Sequence, residues 1–389
     1  MKKLCIVTAT RAEYALLLPI IRKLQEKPGL EVHVAVTGAH LSPEFGLTVR
    51  QIEADGIRIS RKIEMLLSSD TPAAVSKSMA LALIGFGDYF AELQPDALLV
   101  LGDRYELLAI CSAAMNARIP IIHLYGGETT EGAVDEAVRH AVTKLSCLHF
   151  TANEVYARRV IQMGENPENV HVVGAMGPEN AIRMEKMSKP EIEEKLGISL
   201  GEKYAVVTFH PVTLENATAE KQAAELIRAF ARYPDIVFLC TKANADADGR
   251  IINRMLADCA AASEHVYLFD SLGAKCYLSA AAGAAFALGN SSSGLSELPS
   301  LGVPTVNIGN RQKGRMRGPG VIDCEPECSA ICAAVDRALT PEFREIAARR
   351  INPYGDGNTS EKIAELTADA LLNGRLNVRK QFYDIDFRV

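Results

Sequence analysis

The 389-residue sequence contains no uninterrupted apolar run of the roughly 18 residues that a membrane span requires. The apolar run near its start, residues 4–9, is cut short by Arg11 and Glu13. It is too short for a signal peptide and predicts a first β-strand instead. Basic residues are not in excess either, since the net charge is −6 and the pI is about 5.8. These absences predict a cytoplasmic protein that binds a small molecule and neither a membrane nor a nucleic acid.

The sequence also lacks a disulfide framework and a clear metal-binding motif. Its nine cysteines are odd in number and irregularly spaced, which predicts reduced thiols. Cys324, Cys328 and Cys332 are four residues apart, a spacing that predicts a stripe along one helix, and no histidine lies near them in sequence. Because metal sites usually add a short Cys-x-x-Cys pair or a histidine, we expect no metal here.

Short aliphatic runs alternate with longer amphipathic stretches, the pattern of parallel sheets covered by helices on both faces. The chain exceeds the roughly 250 to 300 residues at which a single core stops growing, so two domains are expected. The predicted strands span residues 4–9, 31–36, 97–101, 121–124, 149–151, 170–173, 204–209, 236–241, 266–269, 284–288 and 305–308. The predicted fold class is α/β, with two doubly wound domains.

The best candidate for a domain boundary is segment 174–190, which is rich in Gly, Pro, Met and charge and has no strand pattern. We predict a first domain over residues 1–175 and a second over residues 176–359. The last amphipathic segment, about residues 360–380, cannot extend either sheet and is expected to pack back on the first domain. Two such domains facing each other would bind ligands in the cleft between them, beyond the carboxyl ends of their strands.

Polar motifs follow the predicted strands of the first domain. The turn at residues 8–14 contains no glycine, whereas a dinucleotide-binding turn carries G-x-G-x-x-G, so hydride transfer is disfavoured and no cofactor is expected. Arg11 in that turn is either a phosphate ligand beside a helix N-terminus or a solvated surface side chain. After the strand at 97–101, Asp103 is a candidate general acid or base, or a helix N-cap. Its neighbour Arg104 is a candidate substrate ligand.

More carboxylates follow the strand at 121–124. Glu128 stands beside a pair of glycines, which permit close approach of the backbone to a ligand. On the next predicted helix, Glu136 and His140 share a face, as Asp135 and Arg139 do. Together with the aspartate after the preceding strand, these carboxylates predict proton transfer at carbon or activation of water. The alternative is a face of surface ion pairs.

The second domain shows the same arrangement. His210 directly follows a predicted strand and is either a donor to a diphosphate or a satisfied core imidazole. Asn244 follows the next strand, where its amide is placed to bind a base or ribose. Arg311 lies in a compact basic loop, residues 309–318, which is either a patch for an anionic substrate or a solvated face.

The clearest anion-binding segment is residues 289–294, Gly-Asn-Ser-Ser-Ser-Gly, between a predicted strand and leucines at helical spacing. Free N–H groups at a helix start, with the hydroxyls of Ser291 and Ser292, form an anion site that needs no metal. Glu297, one turn on, can accept hydrogen bonds from ribose hydroxyls. The alternative is a serine N-cap without a ligand.

Taken together, these motifs resemble the hydrolysing UDP-N-acetylglucosamine 2-epimerases over nearly the whole chain. The segments that carry the resemblance are residues 10–14, 37–42, 102–106, 126–128, 139–140, 210–211, 289–294 and 381–385. Each motif is weak alone, but their order and spacing together are specific.

The resemblance implies two Rossmann-like domains in a B-type glycosyltransferase arrangement, the second binding UDP, and a homodimer. It implies conversion of UDP-N-acetylglucosamine and water to UDP and N-acetylmannosamine, the entry to sialic acid. The alternative substrate is UDP-N,N'-diacetylbacillosamine, on the way to legionaminic acid. Segments 241–246 and 269–273 are more similar in sequence to that second branch. Ser271, in the second of these segments, is a candidate substrate-binding residue.

The resemblance also implies a mechanism in which a base removes the C2 proton as UDP leaves, giving a 2-acetamidoglycal to which water then adds. The groups suited to stabilising the leaving diphosphate are Arg11, His210, Ser291 and Ser292. The candidate acid and base groups are Asp103, Glu128 and Glu136, not assigned individually. Many relatives carry a glutamate two residues after the histidine of the strand at 121–124, where this chain has Tyr125, so that carboxylate role passes to Glu128 or is altered. Competing hypotheses are a glycosyltransferase of the same architecture and a non-catalytic UDP-sugar sensor.

Overall fold

The computed structural model describes residues 1–69, 71–129, 134–211, 219–243 and 249–386. The chain divides into two compact units. One consists of Met1–Met176 together with Asn358–Val389, and the other of Gly177–Gly357. Asn244, a predicted ligand of the base or ribose, lies outside the described residues.

The first unit is built on a parallel sheet of seven strands in the order β3-β2-β1-β4-β5-β6-β7. The strands are β1 Lys2–Thr8, β2 Leu30–Thr37, β3 Ile59–Ile63, β4 Ala97–Leu101, β5 Ile121–Leu124, β6 Leu148–Thr151 and β7 Val170–Val172. The helices are α1 Arg11–Gln25, α2 Val49–Ala54, α3 Pro72–Leu93, α4 Tyr105–Asn116, α5 Val134–Leu145 and α6 Glu154–Gln162. Helix α7 Met176–Arg183 begins at the last residue of segment Met1–Met176, and its other residues belong to the second unit. All five residues of β4 are buried, because helices cover both faces of the sheet.

The second unit has a parallel sheet of six strands in the order β10-β9-β8-β11-β12-β13. The strands are β8 Lys203–Thr208, β9 Ile236–Thr241, β10 Val266–Phe269, β11 Phe286–Gly289, β12 Thr305–Ile308 and β13 Val321–Cys324. The helices are α8 Lys189–Leu196, α9 Ala219–Phe230, α10 Gly249–Ala261, α11 Gly273–Gly283, α12 Ser293–Ser296, α13 Leu298–Leu301, α14 Cys328–Leu339 and α15 Pro341–Ala348. In each sheet, the first strands of the chain are added on one side of β1 or β8, and the later strands are added on the other side. The strand order therefore switches between β1 and β4 and between β8 and β11. Ligands of doubly wound sheets bind at such switch points.

The predicted α/β fold class is confirmed, and each predicted strand has a counterpart within two residues at either end. Two of the strands in the described residues, β3 and β13, were not predicted, and both lie at a sheet edge. β3 reads Ile-Ser-Arg-Lys-Ile and β13 reads Val-Ile-Asp-Cys. Edge strands face solvent and carry charge, so the apolar run that reveals a central strand is missing.

The last helix, α16 Thr359–Leu372, packs on α1 in the first unit. Its apolar side chains Ile363, Ala364 and Leu371 join the buried cluster that contains Leu17 and Ile21 of α1. Two lysines of the α1 region, Lys23 and Lys27, pair with Glu361 at 3.1 and 2.7 Å. The helix ends at Leu372, short of the predicted end near residue 380.

The predicted cysteine stripe is wrong for one of its three members. Cys324 is the last residue of β13, whereas Cys328 begins α14 and Cys332 lies one turn along it. The three sulfurs pack against the apolar core of the second unit. Among the described residues, no group of three or more His, Cys, Asp or Glu side chains is placed to hold a metal ion. No helix within those residues has the length and apolar character of a membrane span.

Candidate active site

Arg139 is the centre of a charged network at the carboxyl edge of the first sheet. It lies on α5 and is only 4% exposed. Its guanidinium donates to Asp103, in the loop after β4, and to the Glu136 carboxylate at 3.3 Å and the Glu128 carbonyl at 2.9 Å. Glu136 in turn contacts His140 at 3.1 Å. The structure thus brings together three predicted carboxylate residues, Asp103, Glu136 and Glu128, the last through its backbone.

From the sequence, Arg139 was identified as a helical neighbour of Asp135 and as part of the segment 139–140 that carries the resemblance. Its contact with Asp103 spans 36 positions along the chain and joins the loop after β4 to helix α5, which follows the neighbouring strand β5. Such a contact has no local sequence signal. The polar cluster after β4 and the acidic helix after β5 were nevertheless visible separately.

The buried side chain of His123, on β5, holds the loop that leads to Asp103 in this network. Its Nε2 lies 2.8 Å from the Gly102 carbonyl, which can only accept, so Nε2 carries the proton. Its Nδ1 lies 3.2 Å from the Thr143 hydroxyl. Burial lowers the pKa of His123 to about 4, so the imidazole is neutral at neutral pH. His123 therefore fixes the loop before Asp103 without adding charge.

Tyr125 occupies the position where many relatives of the resembled family carry a glutamate. Its φ of +68° is unusual for a residue other than glycine. Its hydroxyl accepts a hydrogen bond from the Met176 N–H at 2.6 Å, at the first residue of α7. Tyr125 thus satisfies a free N–H group of that helix start.

A pocket of about 480 Å³ lies beside the starts of α1 and α4. Arg11 and Arg104, both predicted ligands, line it together with Glu106. The Arg104 guanidinium donates twice to one oxygen of the buried Glu106, at 3.1 and 3.0 Å. A second buried carboxyl, Glu13, accepts from the Ala9 N–H at 2.7 Å. Burial raises the pKa of Glu13 to about 8, a change that its place in the sequence does not indicate.

In the second unit, the segment 289–294 begins at a close contact between strands. Gly289, the last residue of β11, has a φ of +133°, and a Cβ there would lie 2.0 Å from the Thr208 carbonyl oxygen of β8. Only glycine fits at this position. The chain then enters α12, whose first residue is Ser293. The leucines at helical spacing that follow lie on two short helices, α12 and α13, separated at Glu297.

The serines and Glu297 of this segment lie close together. The Ser293 N–H lies 3.4 Å from the Ser291 hydroxyl, and the Ser293 hydroxyl donates to Glu297. Ser292 precedes α12 and has no side-chain capping bond to it. Burial raises the pKa of the Glu297 carboxyl, and the hydrogen bond from Ser293 opposes that rise. Glu297 therefore accepts a hydrogen bond from one hydroxyl group, which is the kind of contact predicted between Glu297 and the ribose hydroxyls.

His210 and Arg311 lie in the loops after β8 and β12. His210 is 6% exposed, and Arg311 donates to the Asn290 carbonyl at 3.3 Å. The basic loop that contains Arg311 is partly neutralised, because Arg317 pairs with Asp323 at 2.6 Å. Ser271 is exposed and accepts from the Gly273 N–H at 3.1 Å, as a local turn.

Two kinds of chemistry are therefore available, one in each unit. The first unit holds carboxylates joined through one buried guanidinium, which suits proton transfer. The second unit holds backbone N–H groups, hydroxyls, an imidazole and a guanidinium at strand ends, which suits a phosphate group.

The family model described as UDP-N-acetylglucosamine 2-epimerase matches residues 22–368. A Campylobacter jejuni protein named GDP/UDP-N,N'-diacetylbacillosamine 2-epimerase (hydrolyzing) is 39% identical over 345 residues, 88% of this chain and 89% of that one. The polysialic acid biosynthesis protein P7 of Escherichia coli is 38% identical, covering 99% and 98% of the two chains. A Legionella pneumophila UDP-N,N'-diacetylbacillosamine 2-epimerase (hydrolyzing) is 33% identical, covering 96% and 98%.

Solved structures show the same fold. The UDP-GlcNAc 2-epimerase of Neisseria meningitidis, bound to UDP-GlcNAc, superposes with a TM-score of 0.75 at 20% identity, covering 94% of this chain and 99% of that one. The Staphylococcus aureus MnaA–UDP structure superposes with a TM-score of 0.76 at 20% identity, covering 99% and 100%.

Proposed function

The chain belongs to the UDP-N-acetylglucosamine 2-epimerase family, and from that premise we propose that it hydrolyses a UDP-2-acetamido sugar with inversion at C2. The observation that carries the proposal is the pairing of Asp103 and Glu136 through the buried Arg139. Proton removal from carbon needs a positioned carboxylate base, and the following step needs a proton donor. Two carboxylates on one guanidinium supply groups for both tasks.

In the first step, a base takes the C2 proton while the bond between C1 and the diphosphate oxygen breaks. The electron pair of the C2–H bond forms the C1–C2 double bond of a 2-acetamidoglycal, and UDP leaves. We assign proton removal and return to Asp103, Glu128 and Glu136. In the second step, water adds its hydroxyl to C1, and C2 receives a proton on the opposite face. The products are UDP and the free 2-epimeric sugar.

Departure of UDP is the costly part of the first step, because C2–H is a poor acid and the diphosphate gains charge as it leaves. Donors aimed at that developing charge lower the barrier. We assign this task to His210 with Ser291, Ser292 and Arg311. Glu297 is assigned to the ribose hydroxyls. In the first unit, Arg11 and Arg104 are assigned as further ligands of the nucleotide sugar.

The test is incubation with UDP-N-acetylglucosamine and with UDP-N,N'-diacetylbacillosamine in deuterated water. UDP, free sugar and deuterium at C2 are followed by NMR and mass spectrometry. We expect one deuterium at C2 in every product molecule, because solvent supplies the proton of the second step. Product without deuterium at C2 contradicts the elimination route. UDP release only after addition of an acceptor identifies a glycosyltransferase, and bound but unaltered substrate identifies a sensor.

Between the two substrates, we expect the diacetamido sugar to have the higher kcat/KM, by about tenfold, which corresponds to 1.4 kcal/mol. Two relatives above 30% identity are named for it. The pocket beside α1 and α4 has an apolar wall of Ala12, Ala39, Phe45 and Leu66, with Phe45 55% exposed. A methyl at C6 and an acetamido group at C4 gain more from such a wall than two hydroxyls do. Parallel Michaelis–Menten series check this, and a preference for UDP-N-acetylglucosamine contradicts it and points to the sialic acid branch.

We propose that the protein forms a homodimer whose interface includes α3. Leu81, Leu83 and Ile84 of that helix are 41%, 39% and 63% exposed, and exposed Ala80 and Gly87 flank Ile84. A contiguous exposed apolar face of this kind marks an interaction surface. Small residues let the same face of a second copy approach closely, and a two-fold axis pairs each face with itself.

Ile84→Asp is therefore expected to shift the protein from dimer to monomer. A buried anchor residue contributes about 2 kcal/mol or more, and a two-fold dimer contains it twice, so dissociation rises roughly 1000-fold. Light scattering after size exclusion measures this. The matched control is Ile351→Asp, at a side chain 57% exposed in the second unit, which is expected to stay dimeric. A monomeric wild type, or a dimeric Ile84→Asp variant, contradicts the proposal.

A cytoplasmic location is also proposed. The nine cysteines are unpaired thiols, five of them buried, which suits a reducing compartment. Fractionation of cells that express the protein tests this location.

A further inference from the structure

Asn290, the residue after β11, is 1% exposed and uses all of its hydrogen-bonding groups. Its backbone N–H donates to the Thr208 carbonyl at 3.1 Å. Its side-chain Oδ1 accepts from the His210 N–H at 2.7 Å, and its Nδ2 donates to the His210 carbonyl at 2.8 Å. Its own carbonyl accepts from Gln312 at 2.8 Å and from Arg311 at 3.3 Å.

The two contacts with His210 require a carboxamide. An N–H can only donate and a carbonyl can only accept, so the side chain must present one acceptor and one donor side by side. Pro211 disfavours a helical conformation at the residue before it, and in extended backbone the N–H and C=O of one residue point to the same side. A carboxamide matches that pair, whereas a carboxylate has no donor and a serine is too short.

Asn290 thereby joins three loops at one point. They follow β8, β11 and β12, three adjacent strands of the sheet. We propose that Asn290 is a positioning residue that holds His210 and Arg311 for departure of the diphosphate. The inference rests on the proposed function, because it names what keeps the assigned donors in place. It gives Asn290 no contact with the substrate itself.

The test compares Asn290→Asp and Asn290→Ala with the wild type, in UDP release from the preferred UDP sugar. At pH 8, the Asn290→Asp carboxylate keeps one acceptor but sets a second oxygen against the His210 carbonyl. We expect kcat/KM to fall roughly 100-fold in both variants, the cost of a misplacement of about 1 Å. As the pH falls, a protonated carboxyl can donate again, whereas alanine cannot. The ratio of the Asn290→Asp activity to the Asn290→Ala activity is therefore expected to rise toward pH 6.

Both variants retain His210 and Arg311, the charged or titratable groups that contact Asn290. The effect of their titration on activity is therefore the same in both variants and cancels in the ratio. The matched control is Asn307→Ala, at an asparagine that is also 1% exposed. Asn307 lies on β12, and its side chain donates to Asp323 at 2.7 Å and not to His210. Its variant is expected to lower the Tm as much as Asn290→Ala does while keeping the wild-type kcat/KM.

Three results would overturn the inference while the wild type is active. They are wild-type kcat/KM in Asn290→Asp at every pH, an activity ratio that does not change with pH, and an equal loss in Asn307→Ala. A wild type that releases no UDP from either UDP sugar overturns the proposed function instead. The two failures are therefore distinguishable in one set of assays.

Discussion

Asp103→Asn is expected to lower turnover by about 10³-fold while UDP still binds with wild-type affinity. An amide cannot take up a proton from C2, and positioned acid or base groups typically contribute 10² to 10⁴-fold. The substitution preserves shape, and the amide oxygen can still accept from Arg139, so the network after β4 stays assembled. Turnover is measured as UDP release and UDP affinity by titration calorimetry.

The control for this variant lies at the other end of the same strand. Asp96 precedes β4 and pairs with Lys2 at 2.7 Å, at the amino edge of the sheet. Asp96→Asn removes a carboxylate of similar chemistry and is expected to retain wild-type turnover. Turnover of Asp103→Asn within about tenfold of the wild type, below the 10²-fold that a positioned acid or base typically contributes, would contradict this role for Asp103.

Arg139→Met is expected to reduce both stability and turnover. The side chain is 4% exposed, and its loss leaves Asp103, Glu136 and the Glu128 carbonyl without their shared donor. Breaking a buried ion pair costs about 3 to 5 kcal/mol, and we expect the lower end because both carboxylates are about one quarter exposed. That cost lowers the Tm by about 6 to 12 °C in a unit of this size. Turnover is expected to fall at least 100-fold, since the carboxylates lose their placement.

Two further variants separate charge from geometry. Arg139→Lys keeps the charge but not the planar fork, so it is expected to recover most of the Tm and little of the turnover. Arg228→Met removes a largely exposed arginine paired with Glu225, where the interaction is worth about 0 to 1 kcal/mol, and both measurements are expected to stay unchanged. Thermal denaturation and UDP release are measured on all three proteins. Wild-type Tm and turnover in Arg139→Met would show that the network is dispensable.

The fold was predictable because its main signals are local. β4, with the sequence Ala-Leu-Leu-Val-Leu, lies at the centre of a sheet and is apolar at every position, so its identity as a strand follows from its own residues. Polar residues directly after such strands must gather at one edge of a parallel sheet, which placed Asp103, His210 and Ser291 near strand ends. Gly289 belonged to the glycine- and serine-rich segment identified in the sequence, and the structure adds that its backbone conformation and the nearby Thr208 carbonyl exclude any side chain.

Contacts between distant segments were not predictable in this way. The helix stripe proposed for Cys324 failed because the start of α14 depends on how β13 pairs at the sheet edge. Glu13 appears in the sequence as an ordinary acidic residue near a helix start, yet burial raises its pKa to about 8. Burial depends on which elements pack together.

By itself, the sequence determined the α/β class, the positions of eleven of the thirteen strands in the described part of the chain, and the kinds of polar group that follow them. These features depend on hydrophobic periodicity and turn chemistry within a few residues. Only the tertiary structure decided that Arg139 joins Asp103 to Glu136, and that Asn290 joins the loops of His210 and Arg311. Those contacts span 21 to 80 positions except for the helical step from Glu136 to Arg139, and the order of strands in each sheet brings their partners together.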